Sequence, residues 1–232
     1  MNNYSRKQDI DALIVEIQSQ YGEIESLYNA SLREKEIKSD LKIKIKNYLE
    51  NAHSILQYCV HDIADVSGIS TKKIYFPIVG KEKNKNSFDG SVGSNLPGLE
   101  SKNKKVFDYL ESIQPYHAGY EWLADFATVT NDSKHSQLTP QTRTETERIT
   151  SSHSGGGEVS WNPSAVKFES GVFINGALVN PLTQMPVPTP ETTVTKQIWI
   201  DFRFNDSISA LPLLKKIHNE VPKIIEEIYK LL

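Results

Sequence analysis

Residues 41–63, LKIKIKNYLENAHSILQYCVHDI, decide the fold. Leu41, Ile45, Tyr48, Leu49, Ala52, Ile55, Leu56, Cys59, Val60 and Ile63 recur at three- and four-residue steps, the period of one helix face. So continuous a stripe predicts a helix at the centre of the fold. Gly68 is expected to stop it, because glycine accepts the left-handed backbone of a helix end.

Upstream, Ile10, Leu13, Ile14, Ile17, Tyr21, Ile24, Leu27 and Tyr28 repeat the pattern and predict a second long amphipathic helix, with Ser31 as the expected site of a bend. Two antiparallel helices of this length make the frame of a bundle. Downstream, Ile74-Tyr-Phe-Pro-Ile78 is an apolar patch expected to fold back on that frame. The stretch KEKNKNSFDGSVGSNLPG at 81–98 has no period and is expected to be a loop. A third helix is predicted over Lys104 to Ile113 and ended by Pro115, which disfavours helical geometry in the residue before it. A fourth begins near Ala118, with Trp122, Leu123, Phe126 and Val129 on one face. The short QPYH link at 114–117 predicts a hairpin of these two helices.

After His135 the helical period disappears and Thr, Ser, Gly and Pro dominate. The run 142–152 reads as a polar-faced strand, and 172–179 as a hairpin turning at Asn175-Gly176. Gly155-Gly156-Gly157 reads as a loose turn and 181–190 as an extended connector. Ile198, Ile200, Phe202 and Phe204 alternate with Trp199, Asp201 and Arg203, a strand pattern. The stripe from Leu211 to Leu231 is again helical, with a kink expected at Pro222. The predicted fold class is therefore α+β: a helical bundle over 1–135, a small antiparallel β insertion over 136–205, and a C-terminal helix over 206–232 that packs back on the bundle.

The 232 residues suffice for one large domain or a domain with an insertion, burying roughly 70% of the unfolded surface without staples. A single cysteine, Cys59, excludes an internal disulfide and suits a reducing compartment. The start MNNYSRKQDI has no apolar signal segment, and no apolar run is long enough to span a bilayer. A cytoplasmic protein with no membrane partner is expected. The net charge of −3 hides an asymmetry. Between Thr71 and Lys105, eight lysines face three acidic residues, leaving +5 there and −8 elsewhere. A basic segment of this kind suits a phosphate-bearing partner such as RNA; it is equally the make-up of a solvated loop.

The chemistry concentrates at Val129-Thr-Asn-Asp-Ser-Lys-His135. Asn131 and His135 are four apart and share a helix face, with Lys134 beside them. Histidine exchanges protons near neutral pH, and a lysine can stabilise charge developing on a phosphoryl group. Together they are apparatus for metal-free RNA cleavage by the substrate's own 2′-hydroxyl. The same residue types also finish ordinary helices, because cations suit the negative helix end and asparagine bonds local backbone. A second cluster, His53, His61, Asp62 and Asp65, contains the adjacent His-Asp pair used by HD-type metal phosphohydrolases. However, His53 and His61 are roughly 12 Å apart along a helix, too far to share one ion. Cys59 lies on the apolar stripe, no G-x-S-x-G pattern exists, and His153 and His218 have no evident partners.

The long helical pair, the YFPI patch (Tyr75 to Ile78), the QPY turn (Gln114 to Tyr116) and N-x-x-K-H at 131–135 together resemble a group of bacterial HEPN-like helical-bundle proteins. Many members of the HEPN superfamily are ribonucleases or toxins of defence systems, with an arginine, a polar residue and a following histidine brought together in a dimer cleft. The resemblance implies a homodimer, with Asn131 at the polar position and His135 as the histidine. The arginine position falls on Thr130, a departure that Lys134 does not repair geometrically, since lysine lacks the guanidinium fork. The resemblance covers residues 1–135 and the last helix and is silent on the β segment. The expectation is a HEPN-like binding or accessory protein, RNA-related or defence-associated. The alternatives are a metal-independent ribonuclease using His135 with Asn131 and Lys134, or an HD-type phosphohydrolase. No cofactor and no metal is expected.

Overall fold

The computed structural model describes residues 4–34, 37, 39–135, 141–205 and 207–232, without the side chains at 32–34, 133–135, 141–144, 146 and 197–200. The fold is α+β. Two compact units divide it, one of residues 1–142 with 202–232 and one of residues 143–201.

In the first unit, helix α1 (Lys7–Glu34) packs along α2 (Ser39–Val66), and α7 (Ala210–Leu231) packs against both. The α2 stripe is buried throughout, from Leu41 to Ile63. Its end is a Schellman motif. Gly68 sits at φ +60°, its N–H donates to Asp65 O at 3.1 Å, and the Ile69 N–H donates to Ala64 O at 2.8 Å. Helix α1 continues through Ser31, which is buried, as far as Glu34. The Tyr48 hydroxyl, deep in the core, donates to Leu214 O of α7 at 3.2 Å.

The stretch expected as a loop holds helix α3 (Lys85–Asn95), and α4 (Leu99–Lys102) follows directly after it. Asn84 caps α3, its side chain accepting from the Ser87 N–H at 3.3 Å. Phe88 and Val92, one turn apart, are the buried residues of α3, and Phe88 meets the Phe107 ring at 5.4 Å. Two anchors and a cap override the poor helix propensity of Gly, Ser and Asn. Helix α5 (Lys104–Ser112) is capped by Asn103, which accepts from the Val106 N–H at 3.2 Å. Helices α5 and α6 (Trp122–His135) do not make the expected hairpin. Helix α5 packs mainly on α4 and α6 mainly on α2, and both also touch α7.

The apolar patch at 74–78 is fastened by one buried amide. Gln114 Nε2 donates to Pro77 O and Leu110 O, each at 2.8 Å, and its Oε1 accepts from the Val79 N–H at 3.1 Å. Phe76 enters the core and Tyr75 stays exposed. The YFPI patch and the QPY turn are thus two halves of one hydrogen-bonded junction. Elsewhere in this unit, Arg203 and Phe204, the last residues of β6 (Thr192–Phe204), pair antiparallel with β7 (Ile208–Ser209) just before α7. The Phe202 N–H donates to Tyr28 Oη of α1 at 3.0 Å.

In the second unit, β1 (Gln141–His153) lies between β2 (Glu158–Trp161) and β6. A three-stranded sheet is made of β3 (Phe173–Ile174), β4 (Ala177–Asn180) and β5 (Met185–Pro186). The hairpin turns at Asn175 (φ +50°) and Gly176 (φ +79°), the left-handed pair that such a tight turn requires. The expected extended connector at 181–190 folds instead. Asn180 Oδ1 accepts from the Leu182 N–H at 2.9 Å and turns the chain back, so that β5 can pair with β4. Ile149, Trp161, Ile174 and Val179 form this unit's own small core.

Candidate functional site

Helix α6 presents two unlike faces. Leu123, Phe126, Val129 and Thr130 face the core, all fully buried. Asn131, the next residue, is exposed. Helical spacing puts position 135 one turn beyond Asn131, on the side away from the core. The side chains of Lys134 and His135 lie outside the described residues, so their grouping with Asn131 is given by the backbone alone. Asp132 Oδ2 accepts from Asn205 Nδ2 at 2.8 Å, tying the end of α6 to the turn between β6 and β7.

Thr130 marks the position of the arginine in the motif that the sequence resembles. Its side chain is 0% exposed, and its hydroxyl has no hydrogen-bond partner among the described residues. A cation at this position would sit in the apolar core, where a charge without a partner is strongly disfavoured. The substitution was visible in the sequence; its burial follows from spacing, since Thr130 lies four residues after Phe126 and seven after Leu123.

Beside that face, α6 and the first turns of α7 enclose a cleft of about 430 Å³. Lys81, Asp125, Thr128, Ser207 and Lys216 give it polar walls, over a floor that includes the buried Trp122. Lys81 Nζ lies 2.7 Å from Asp125 Oδ1. The sequence counted Lys81 in the basic segment and Trp122 on an apolar helix face but did not bring these residues together, because they come from three distant segments with no shared spacing.

The basic segment is less open than its charge suggests. Lys81 pairs with Asp125, Lys85 with Asp89 and Lys104 with Asp108, each at 2.7 Å, and Lys102 donates to Gly68 O. Lys72, Lys73, Lys83 and Lys105 have no ion-pair partner among the described residues and remain exposed.

The His-Asp cluster on α2 is organised around an internal ion pair. Asp62 is 1% exposed. Its Oδ1 accepts from Arg6 Nη1 at 3.0 Å and from Ser5 Oγ at 3.2 Å, and its Oδ2 accepts from Tyr229 Oη at 2.6 Å. Arg6 also reaches Asp65 at 2.6 Å. The hydrogen bond to Asp65 leads the effects that raise the Arg6 pKa, and burial followed by the bond to Asp62 raises that of Tyr229. Both Asp62 oxygens are occupied by donors, which leaves them poorly disposed to hold a metal. Cys59 is buried, and that burial pushes its thiol pKa up, away from nucleophilic reactivity.

Two histidine environments escaped the sequence. Tyr116 Oη and His117 Nε2 both meet Glu111 Oε1, at 2.8 and 3.0 Å. Burial pushes the Glu111 carboxyl up, but these two hydrogen bonds outweigh it and hold the group below its usual range. His218 is not a bystander on a polar face. It stacks on Tyr21 at 4.4 Å, its Nδ1 is buried without a hydrogen-bond partner among the described residues, and burial lowers its pKa. His153 also has local partners, with its Nδ1 accepting from the Gly155 N–H at 2.9 Å.

No helix among the described residues is long and apolar enough to cross a membrane. Comparison with family models, with curated proteins and with solved structures finds no match to the chain.

Proposed function

We propose that the chain is a HEPN-like binding or accessory protein whose partner is RNA, and that it holds RNA without cutting it. The observation that carries the reading is the burial of Thr130. Where a HEPN ribonuclease would present an arginine to the phosphodiester, this helix turns a neutral side chain into its core. Phosphate contacts come instead from the exposed Asn131 face, with Lys134 three residues on in sequence, and from the exposed lysines Lys72, Lys73, Lys83 and Lys105, which have no ion-pair partner among the described residues. The resemblance further implies a homodimer.

The second reading, a metal-independent ribonuclease using His135 with Asn131 and Lys134, draws on the exposure of Asn131 and on its one-turn spacing from position 135. An HD-type phosphohydrolase is disfavoured by the commitment of Asp62 to Arg6, Ser5 and Tyr229. Incubation with total RNA in EDTA, comparing wild type with His135→Ala, separates binding from cleavage. The expected result is shifted, intact RNA with both proteins. Sedimentation velocity tests the dimer, and a monomer at all concentrations would remove that part of the reading.

A further inference from the structure

We propose that the cleft between α6 and α7 is a binding site for the phosphate group of a small organic ligand, a role independent of RNA contact at residues 131–135. Its size is the first reason. About 430 Å³ lies within the range of small-molecule sites and leaves room beside the phosphate for an organic portion.

The second reason is charge. Among the described residues, the charged ones lining the cleft are Lys81, Asp125 and Lys216. Asp125 is engaged by Lys81 at 2.7 Å, and this ion pair fixes one ammonium in the wall. Lys216 is exposed and has no ion-pair partner among the described residues. An entering group therefore meets a net positive charge with one cation uncommitted, and an anion is the ligand that such a wall selects.

The third reason is the number of donors. Two lysine ammoniums and the hydroxyls of Thr128 and Ser207 surround the same space. Lys81 is partly engaged by Asp125, and the remaining ammonium and hydroxyl donors match the three terminal oxygens of a phosphomonoester. Helix α7, 22 residues long, begins at this cleft and adds the positive end of its dipole. The floor differs in character: Trp122 and Leu213 are buried there and offer apolar surface to the rest of the ligand.

The test titrates inorganic phosphate, adenosine monophosphate and adenosine into the ¹⁵N-labelled full chain, following amide shifts. Saturable shifts around Thr128, Ser207 and Lys216 with the monophosphate, and none with adenosine, are expected. If inorganic phosphate also saturates, the phosphate group alone suffices; if only the nucleotide does, the organic portion contributes as well. Lys216→Gln should weaken binding at least about tenfold with an unchanged melting temperature, about 1.4 kcal/mol at that ratio. Lys167→Gln, which removes an exposed lysine of the other unit, should change nothing. Failure of both phosphates to saturate, or equal weakening by Lys167→Gln and Lys216→Gln, would overturn the proposal. Loss of RNA binding with nucleotide binding retained would affect only the RNA reading.

Discussion

The phenol of Tyr229 on α7 donates to the buried carboxylate of Asp62 on α2 at 2.6 Å. Arg6 and Ser5 take the carboxylate's other oxygen, so three separated segments close on one charge in the core. Removing one partner leaves that charge under-satisfied. Arg6→Ala should destabilise the protein by about 3 kcal/mol, the low end for a broken buried pair because Arg6 is one-third exposed. Tyr229→Phe should cost about 1–2 kcal/mol. Urea unfolding checks both, and unchanged midpoints would contradict the assigned network.

Gln114 joins the 74–78 patch to α5 through three backbone groups. Gln114→Leu keeps the volume roughly but strands all three partners. A loss of about 2–3 kcal/mol is expected in chemical denaturation. Since Phe76 is held by the same junction, amide exchange over 74–79 should quicken more than exchange in α2.

Thr130 carries a buried hydroxyl with no partner among the described residues. Thr130→Val, nearly isosteric, should leave stability unchanged or raise it by up to about 1 kcal/mol. Thr130→Arg should prevent stable folding without producing a nuclease. Thermal melts measure the first; circular dichroism and RNA incubation measure the second.

His218 has its pKa lowered by burial against Tyr21. The folded state thus binds fewer protons than the unfolded one below the ordinary histidine pKa of about 6.5, so stability is complete above that pH and declines as pH falls toward the folded value. His218→Phe keeps the stack and should flatten the melting temperature over that acidic window. Glu111 acts lower on the scale. Its depressed pKa makes its contribution present above about 4.3 and lost as pH falls through the folded value, and Glu111→Gln should remove that limb.

Much of the helical scaffold was legible because burial repeats with the helix. The stripe from Leu41 to Ile63 names its own core face, and Gly68 names its own stop. Helix α3 was not legible. Two anchors, Phe88 and Val92, stand among Gly, Ser and Asn, and no local pattern outweighs that composition; the helix is fixed by tertiary burial and the Asn84 cap. The β5 pairing was hidden for a similar reason, since it depends on how Asn180 turns the backbone. At the candidate site, the sequence singled out Asn131, Lys134 and His135, and of these only the side chain of Asn131 lies among the described residues. It did not reveal the cleft, whose Lys81, Asp125 and Lys216 lie 44 and 91 residues apart in turn. Nor did it reveal that Asp62 is held by Arg6 and Tyr229, for contacts between distant segments leave no periodic trace.

The most direct measurement is a single gel of ³²P-labelled RNA incubated in EDTA with the wild-type chain and with Asn131→Ala, Lys134→Gln and His135→Ala. The account predicts full-length RNA in every lane, retarded by the wild type and less so by Lys134→Gln. Shortened RNA in the wild-type lane that disappears with His135→Ala would contradict it, and would mean that the end of α6 cuts without the arginine.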